Sequence, residues 1–171
     1  MKFVKYCFLF LAIACQKLPA REISSCPQIL TYIENHLPLQ GILKKSGDFI
    51  YVDLDDGYVH KLIPFIEKDG FQPPPYFGSS DLVGAHITVV YPAEVHKYKI
   101  KDIQECGEKI HFSLKTCQIV HPPRWEGIDE IYLIVVDSPE LDKIRQRYGL
   151  PKKEYNFHIT IGVKPKVALA A

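Results

Sequence analysis

The tripeptide His-Ile-Thr occurs twice in this chain, at His86-Ile87-Thr88 and His158-Ile159-Thr160, each within a short apolar run. Alternate residues of a β-strand point to the same face, so each tripeptide presents an imidazole and a hydroxyl side by side and turns its isoleucine into the core. In a chain with 7 histidines and 4 threonines, chance supplies only roughly 0.2 His-x-Thr triplets. Two such strands facing each other gather two histidines and two threonines around one small anionic group. That constellation is an acid–base site, and it is the main reason to expect an enzyme.

The elements around the two motifs repeat. A helix is expected from Ser24 to Leu37, capped by Ser25 or Cys26, with Pro27 in its first turn and a stripe of Ile29, Leu30, Ile33 and Leu37. A strand from Asp48 to Leu54 stops at Asp55-Asp56-Gly57. A helix from Tyr58 to Lys68 follows, kinked or starting late because Pro64 lacks a backbone donor. The Pro- and Gly-rich loop from Phe71 to Asp81 then leads into the first motif strand. In the second half, Lys109 to Val120 reads as one strand or two, and His121 to Gly127 as a loop. Glu130 to Val136 is a β-branched strand, and Ser138 caps a helix running to about Tyr148 and ending at Gly149. The second motif strand comes next. Strand, helix, His-Ile-Thr strand thus occurs twice, with Ile50-Tyr51 matching Ile131-Tyr132. The expected fold class is α+β: duplicated, bilobal, pseudo-twofold sheets with flanking helices and a central cleft carrying both His-x-Thr strands.

The 171 residues, 47% hydrophobic and 24% charged, suit one globular domain over residues 21–171. The first 20 residues read differently. A basic start, Met1 to Lys5, precedes nine apolar residues from Tyr6 to Ala14, too few to span a bilayer but right for the hydrophobic region of a secretory signal. We expect an exported protein, periplasmic or secreted, cleaved near Ala14 or Ala20. Leu11-Ala12-Ile13-Ala14-Cys15 also resembles a lipoprotein box, so the alternative is a lipid anchor at Cys15, the one expected route to a membrane. Of Cys26, Cys106 and Cys117, the pair close in sequence, Cys106 and Cys117, is the expected disulfide, which leaves one thiol over. Removing the leader takes away Lys2, Lys5 and Lys17 and no acids, leaving 18 basic and 20 acidic side chains and a net charge near −2. Such a domain lacks the basic footprint of a protein that coats long nucleic acid. Nothing in the chain calls for more than a monomer.

The two motifs with their matched flanking elements, over roughly Asp48 to Lys164, resemble the 2H phosphoesterase superfamily. Its hallmark is two His-x-Thr/Ser motifs, each on a central strand of one lobe of a duplicated α+β fold, and it includes bacterial 2′,3′-cyclic phosphodiesterases once described as RNA ligases. The long Pro-rich approach to the first motif, Gln72 to Gly84, resembles a divergent branch near the domains linked to RNA repair. The resemblance implies that His86 and His158 supply base and acid, in an order set by how the substrate lies, and that Thr88 and Thr160 bind phosphate. The implied reaction is hydrolysis of 2′,3′-cyclic phosphate ends of nucleotides or RNA, with no metal and no cofactor; the implied partner is a small nucleotide or RNA end. The residue types suit that chemistry. Histidine, with an ordinary pKa near 6.5, can give or take a proton at neutral pH, acid and base each contribute about 10²–10⁴-fold, and hydroxyls can donate to oxygens where charge accumulates.

Secondary candidates are Asn156, which shares a strand face with His158, Lys164 and Arg124 as phosphate ligands, and Trp125 and Tyr76 as loop aromatics that can stack on a base. Three alternatives stay open. The same four residues can cleave 2′–5′ or 3′–5′ linked oligonucleotides. An exported metal- or ligand-binding module can be built from His60, His96, His111, His121 and the two motif histidines, or from Asp53, Asp55 and Asp56 around calcium. A third is an inactive nucleotide receptor of the same fold.

Overall fold

The computed structural model describes residues 23–75, 83–123, 125–153 and 155–166. The leader with Cys15, and the candidates Tyr76 and Arg124, lie outside the described residues. The elements are helices α1 (Cys26–His36), α2 (Gly57–His60), α3 (Pro92–Tyr98) and α4 (Pro139–Arg147), and strands β1 (Gln40–Ser46), β2 (Phe49–Asp53), β3 (His86–Val90), β4 (Lys109–His111), β5 (Ser113–Val120), β6 (Ile128–Asp137) and β7 (His158–Pro165). The class is α+β. The strands form one seven-stranded sheet in the order β4-β1-β2-β3-β7-β6-β5, antiparallel throughout. Both motif strands therefore sit side by side at its centre.

One face of the sheet is buried by the helices. Ile29 and Ile33 of α1, Tyr58 and Val59 of α2, Leu141 and Ile144 of α4, and the strand residues Leu43, Val52, Ile87, Ile134, Ile159 and Ile161 share one core. Alternation explains why Ile87 and Ile159 lie in it while their motif neighbours do not. Among the described residues no helix is long and apolar enough to cross a membrane.

Three expectations need correction. The helix from Tyr58 to Lys68 is instead one α-helical turn followed by two 3-10 turns, Ile63–Phe65 and Glu67–Asp69. Pro64 has no N–H to offer the carbonyl of His60, so the α-helical ladder cannot continue through it. Leu62 and Ile66 still reach the core, both fully buried. The disulfide joins Cys26 to Cys117, across 91 residues, and leaves Cys106 exposed as the free thiol. Closeness in sequence does not decide this pairing; the packing of α1 over β5 brings the two Cα atoms to 5.7 Å. At the start of α1 the Ser25 hydroxyl lies 3.1 Å from that of Tyr132 and does not cap the helix. Strand β1 and helix α3 were not anticipated from the sequence. Helix α3 begins with Pro92, and the Tyr91 N–H donates to the Glu94 carboxylate at 3.0 Å.

Candidate active site

Strands β3 and β7 meet at a single pair, Ile87 opposite Ile159. Extending that antiparallel register one residue each way sets His86 opposite Thr160 and Thr88 opposite His158. All four side chains fall on the sheet face away from the main core, as a two-by-two patch whose cross-strand neighbours lie about 4.5–5.5 Å apart at Cβ. Thr88 is buried, 8% exposed, and the other three are half-buried. The isoleucines between them are fully buried, so the patch rests on packed core.

Each imidazole is held in the same way. His86 Nδ1 donates to the Gly84 carbonyl at 2.7 Å, and His158 Nδ1 donates to the Asn156 carbonyl at 2.9 Å. A carbonyl can only accept, so in both neutral rings the proton sits on Nδ1 and the lone pair on Nε2. Asn156 thus orients His158 with its backbone, a service that any residue type can supply; its own side chain is exposed.

The two rings sit in different surroundings. Phe49 and Tyr51 stack on each other and present their faces or edges to His86, at ring distances of 5.5 and 6.0 Å. Asp53 lies opposite His86 in the register and is paired with Lys44 at 2.6 Å. His158 instead lies opposite Val135. Burial pushes both imidazoles below their ordinary pKa of 6.5, offset in part by the carbonyl bonds. The positive charges of Lys153 and of protonated His86 push His158 down further. At neutral pH both are held mainly in the neutral form.

The same irregularity follows each threonine. Tyr51 pairs with Thr88 and Ile50 with Val90, leaving Val89 as an extra residue; Leu133 pairs with Thr160 and Tyr132 with Gly162, leaving Ile161 extra. These are β-bulges, and each reverses the alternation beyond it. The structural match is therefore Ile50-Tyr51 with Tyr132-Leu133, one residue from the Ile131-Tyr132 match suggested by the sequence. The bulge at Ile161 also moves Lys164 to the core side of the sheet, where it pairs with Glu130 at 3.3 Å and lies over the Phe71 ring. Lys164 is not part of the patch. The opposite bulge turns Tyr91 onto the patch face, beside the Thr88 side chain.

Trp125 packs on Ile131, Leu133 and Val163 on the same sheet face, beyond Thr160. Lys153, which sequence reasoning missed, donates to the Thr88 carbonyl at 2.8 Å and lies over the rings of Tyr91 and Phe157. Burial lowers its pKa to about 8, with Arg145 adding to the effect. No local pattern distinguishes Lys153 from Lys152; only the fold selects it.

The carboxylates suggested as calcium ligands build the turn before α2 instead. Asp55 accepts from the Gly57 N–H at 2.7 Å and Asp56 from the Ala85 N–H at 2.9 Å, while Asp53 holds Lys44. Among the described residues the cluster with three metal-ligand types is His121, Asp129 and Glu130, on the surface, and Glu130 there is engaged by Lys164. His96 and His111 lie apart, beside Asp48 and Glu140.

The fold puts two His-x-Thr strands side by side with their rings tethered alike, the arrangement expected of a 2H phosphoesterase domain. Comparison with protein families agrees: residues 50–168 match the family described as Swiss Army Knife, 2H phosphoesterase domain, and the chain belongs to that family. Comparisons with curated proteins and with solved structures find no match.

Proposed function

We propose that this protein is a metal-independent phosphodiesterase that opens 2′,3′-cyclic phosphate ends of nucleotides or RNA by two-histidine catalysis. The observation that carries the reading is the matched tethering of His86 and His158 through Nδ1, on two neighbouring strands that each bear a threonine two residues on. One Nε2 takes a proton from the attacking water, the new P–O bond forms, and the opposite P–O bond to the ribose breaks. The leaving ribose oxygen receives its proton from Nε2 of the other ring, which enters the reaction as the imidazolium, a form that the anionic phosphate beside it favours, so the product is a phosphomonoester and the two rings have exchanged protonation states. Thr88 and Thr160 donate to the non-bridging oxygens, where charge grows in the transition state.

The strand order supports a duplication: β1-β2-β3 meets β7-β6-β5 as mirror-ordered halves, and tether and bulge recur at equivalent positions. We read β1-β2-α2-β3 and β5-β6-α4-β7 as two lobes about a pseudo-twofold axis between β3 and β7. The disulfide supports export of the domain, because such bonds persist in oxidising compartments.

The test is turnover of nucleoside 2′,3′-cyclic monophosphates by protein lacking the first 20 residues, in chelator, beside His86→Ala and His158→Ala. Turnover should survive chelation and fall by at least ~10²-fold in each variant. Activity that needs added metal, or that ignores either histidine, would sink the mechanism.

A further inference from the structure

Next to the four-residue patch, a cavity of ≈ 540 Å³ opens between α3 and residues 151–155, lined among others by Tyr91, Tyr98, Tyr155, Lys97, Lys152 and Lys153. That volume is in the range that holds a small ligand such as one nucleotide. Two further charges line it, Arg145 and Glu94, and they neutralise each other through contacts of 2.7 and 3.3 Å. The cavity is therefore left with three ammonium groups of one sign. Glu154, between Lys153 and Tyr155 in sequence, is outside the described residues, and one carboxylate there would still leave the positive charge in excess. Tyr155 is 75% exposed and Tyr91 44% exposed, so large rings stand in water beside cations. Stacking surfaces interleaved with lysines are what a single-stranded nucleic acid engages: bases on the rings, phosphates on the ammonium groups.

The cavity is continuous with the patch. Tyr91 lines it and lies beside the Thr88 side chain. Lys153 lines it too, and reaches the Thr88 carbonyl at 2.8 Å. A ribose whose 2′ and 3′ oxygens are closed in a cyclic phosphate can continue into a chain only through its 5′ oxygen. A strand leaving the patch over Thr88 enters this cavity.

We propose that the cavity between α3 and residues 151–153 and 155 binds the nucleotide on the 5′ side of the cyclic phosphate, so that an RNA end of two or more nucleotides is preferred over a mononucleotide. The proposal rests on the phosphodiesterase reading above and names its substrate class. The experiment compares kcat/KM for a 2′,3′-cyclic mononucleotide with that for a dinucleotide carrying the same cyclic end. It uses the wild-type protein, the double variant Lys97→Glu/Lys152→Glu, and Tyr155→Ala. These side chains are exposed, and surface substitutions of this kind leave folding nearly unchanged. The wild type should prefer the dinucleotide by about 10-fold, the order of one base stacked on an aromatic ring, and the preference should shrink toward unity in both variants. Equal kcat/KM for the two substrates in the wild type, or a preference untouched by the variants, overturns the proposal. If neither substrate turns over, the phosphodiesterase reading has failed, and fluorescence anisotropy with a labelled single-stranded RNA tetranucleotide then judges the cavity alone. Binding at least ~5-fold weaker in the double variant supports it, and equal affinity overturns it.

Discussion

Lys153 donates a hydrogen bond to the carbonyl oxygen of Thr88 at 2.8 Å, fastening the loop before the second motif to the backbone of the first. The same ammonium lowers the pKa of His158 through its charge, behind the larger effect of burial. One side chain thus couples the geometry of one half-site to the proton affinity of the other.

Replacing Lys153 by Met removes that positive charge while keeping the bulk. His158 should then protonate more readily, and the limb of the kcat/KM profile that it governs should move to higher pH. Lys153→Arg, which keeps the charge, should leave that limb in place. Loss of the charge-assisted bond should also lower kcat/KM by roughly tenfold, the order of one such contact. The pH–rate profiles of the three proteins on a cyclic mononucleotide check both statements.

Both imidazoles lie below their ordinary pKa of 6.5 in the folded protein. Between 6.5 and the folded values the unfolded chain binds more protons than the native one, so stability falls as pH drops through that window. Urea midpoints at successive pH values from 7.5 to 5.5 should decline. The slope should flatten in a His86→Asn/His158→Asn variant, which retains polar side chains but cannot titrate.

Gly84 supplies the carbonyl that tethers His86, and it has no room for a side chain. A Cβ there would lie 2.2 Å from Asp56 Oδ1, the atom that accepts from the Ala85 N–H at 2.9 Å. Gly84→Ala should displace this carboxylate, cost about 1–3 kcal/mol of stability through the broken bond, and tilt the His86 ring. We expect kcat to fall further than stability alone explains, measured at a temperature where the variant remains folded.

The bond between Cys26 and Cys117 closes a loop across 91 residues, long enough that its loss should cost about 3–5 kcal/mol. Protein beginning at residue 21 should show one titratable thiol, Cys106, and Cys26→Ser/Cys117→Ser should melt well below it. A free-thiol count of three in protein prepared without reductant would contradict the pairing.

Much of this architecture is legible in local sequence. Both motif strands, the helix capped by Ser138, whose hydroxyl accepts from the Leu141 N–H at 3.4 Å, and the buried face of α1 follow from periodicity and capping. These signals act over a few residues, as backbone geometry does. Strand β1 was missed because Gly41, Lys44 and Lys45 interrupt its alternation, and its place in the sheet depends on pairing with β2 and β4.

The candidate site divides along the same line. By itself the sequence determined that an imidazole and a hydroxyl share a face in each motif, because strand alternation needs no partner to operate. Only the tertiary structure decided that the two strands are neighbours, since the pairing of Ile87 with Ile159 joins positions that stand far apart in the chain. It also decided which flanking residues belong. The bulges at Val89 and Ile161 reverse alternation, sending Lys164 away from the patch and bringing Tyr91 onto it, and the packing of the 151–155 segment puts Lys153 beside Thr88. A bulge is a mismatch between two strands, and a disulfide a meeting of two elements. Neither is a property of either segment alone, so neither could be read until the chain was folded.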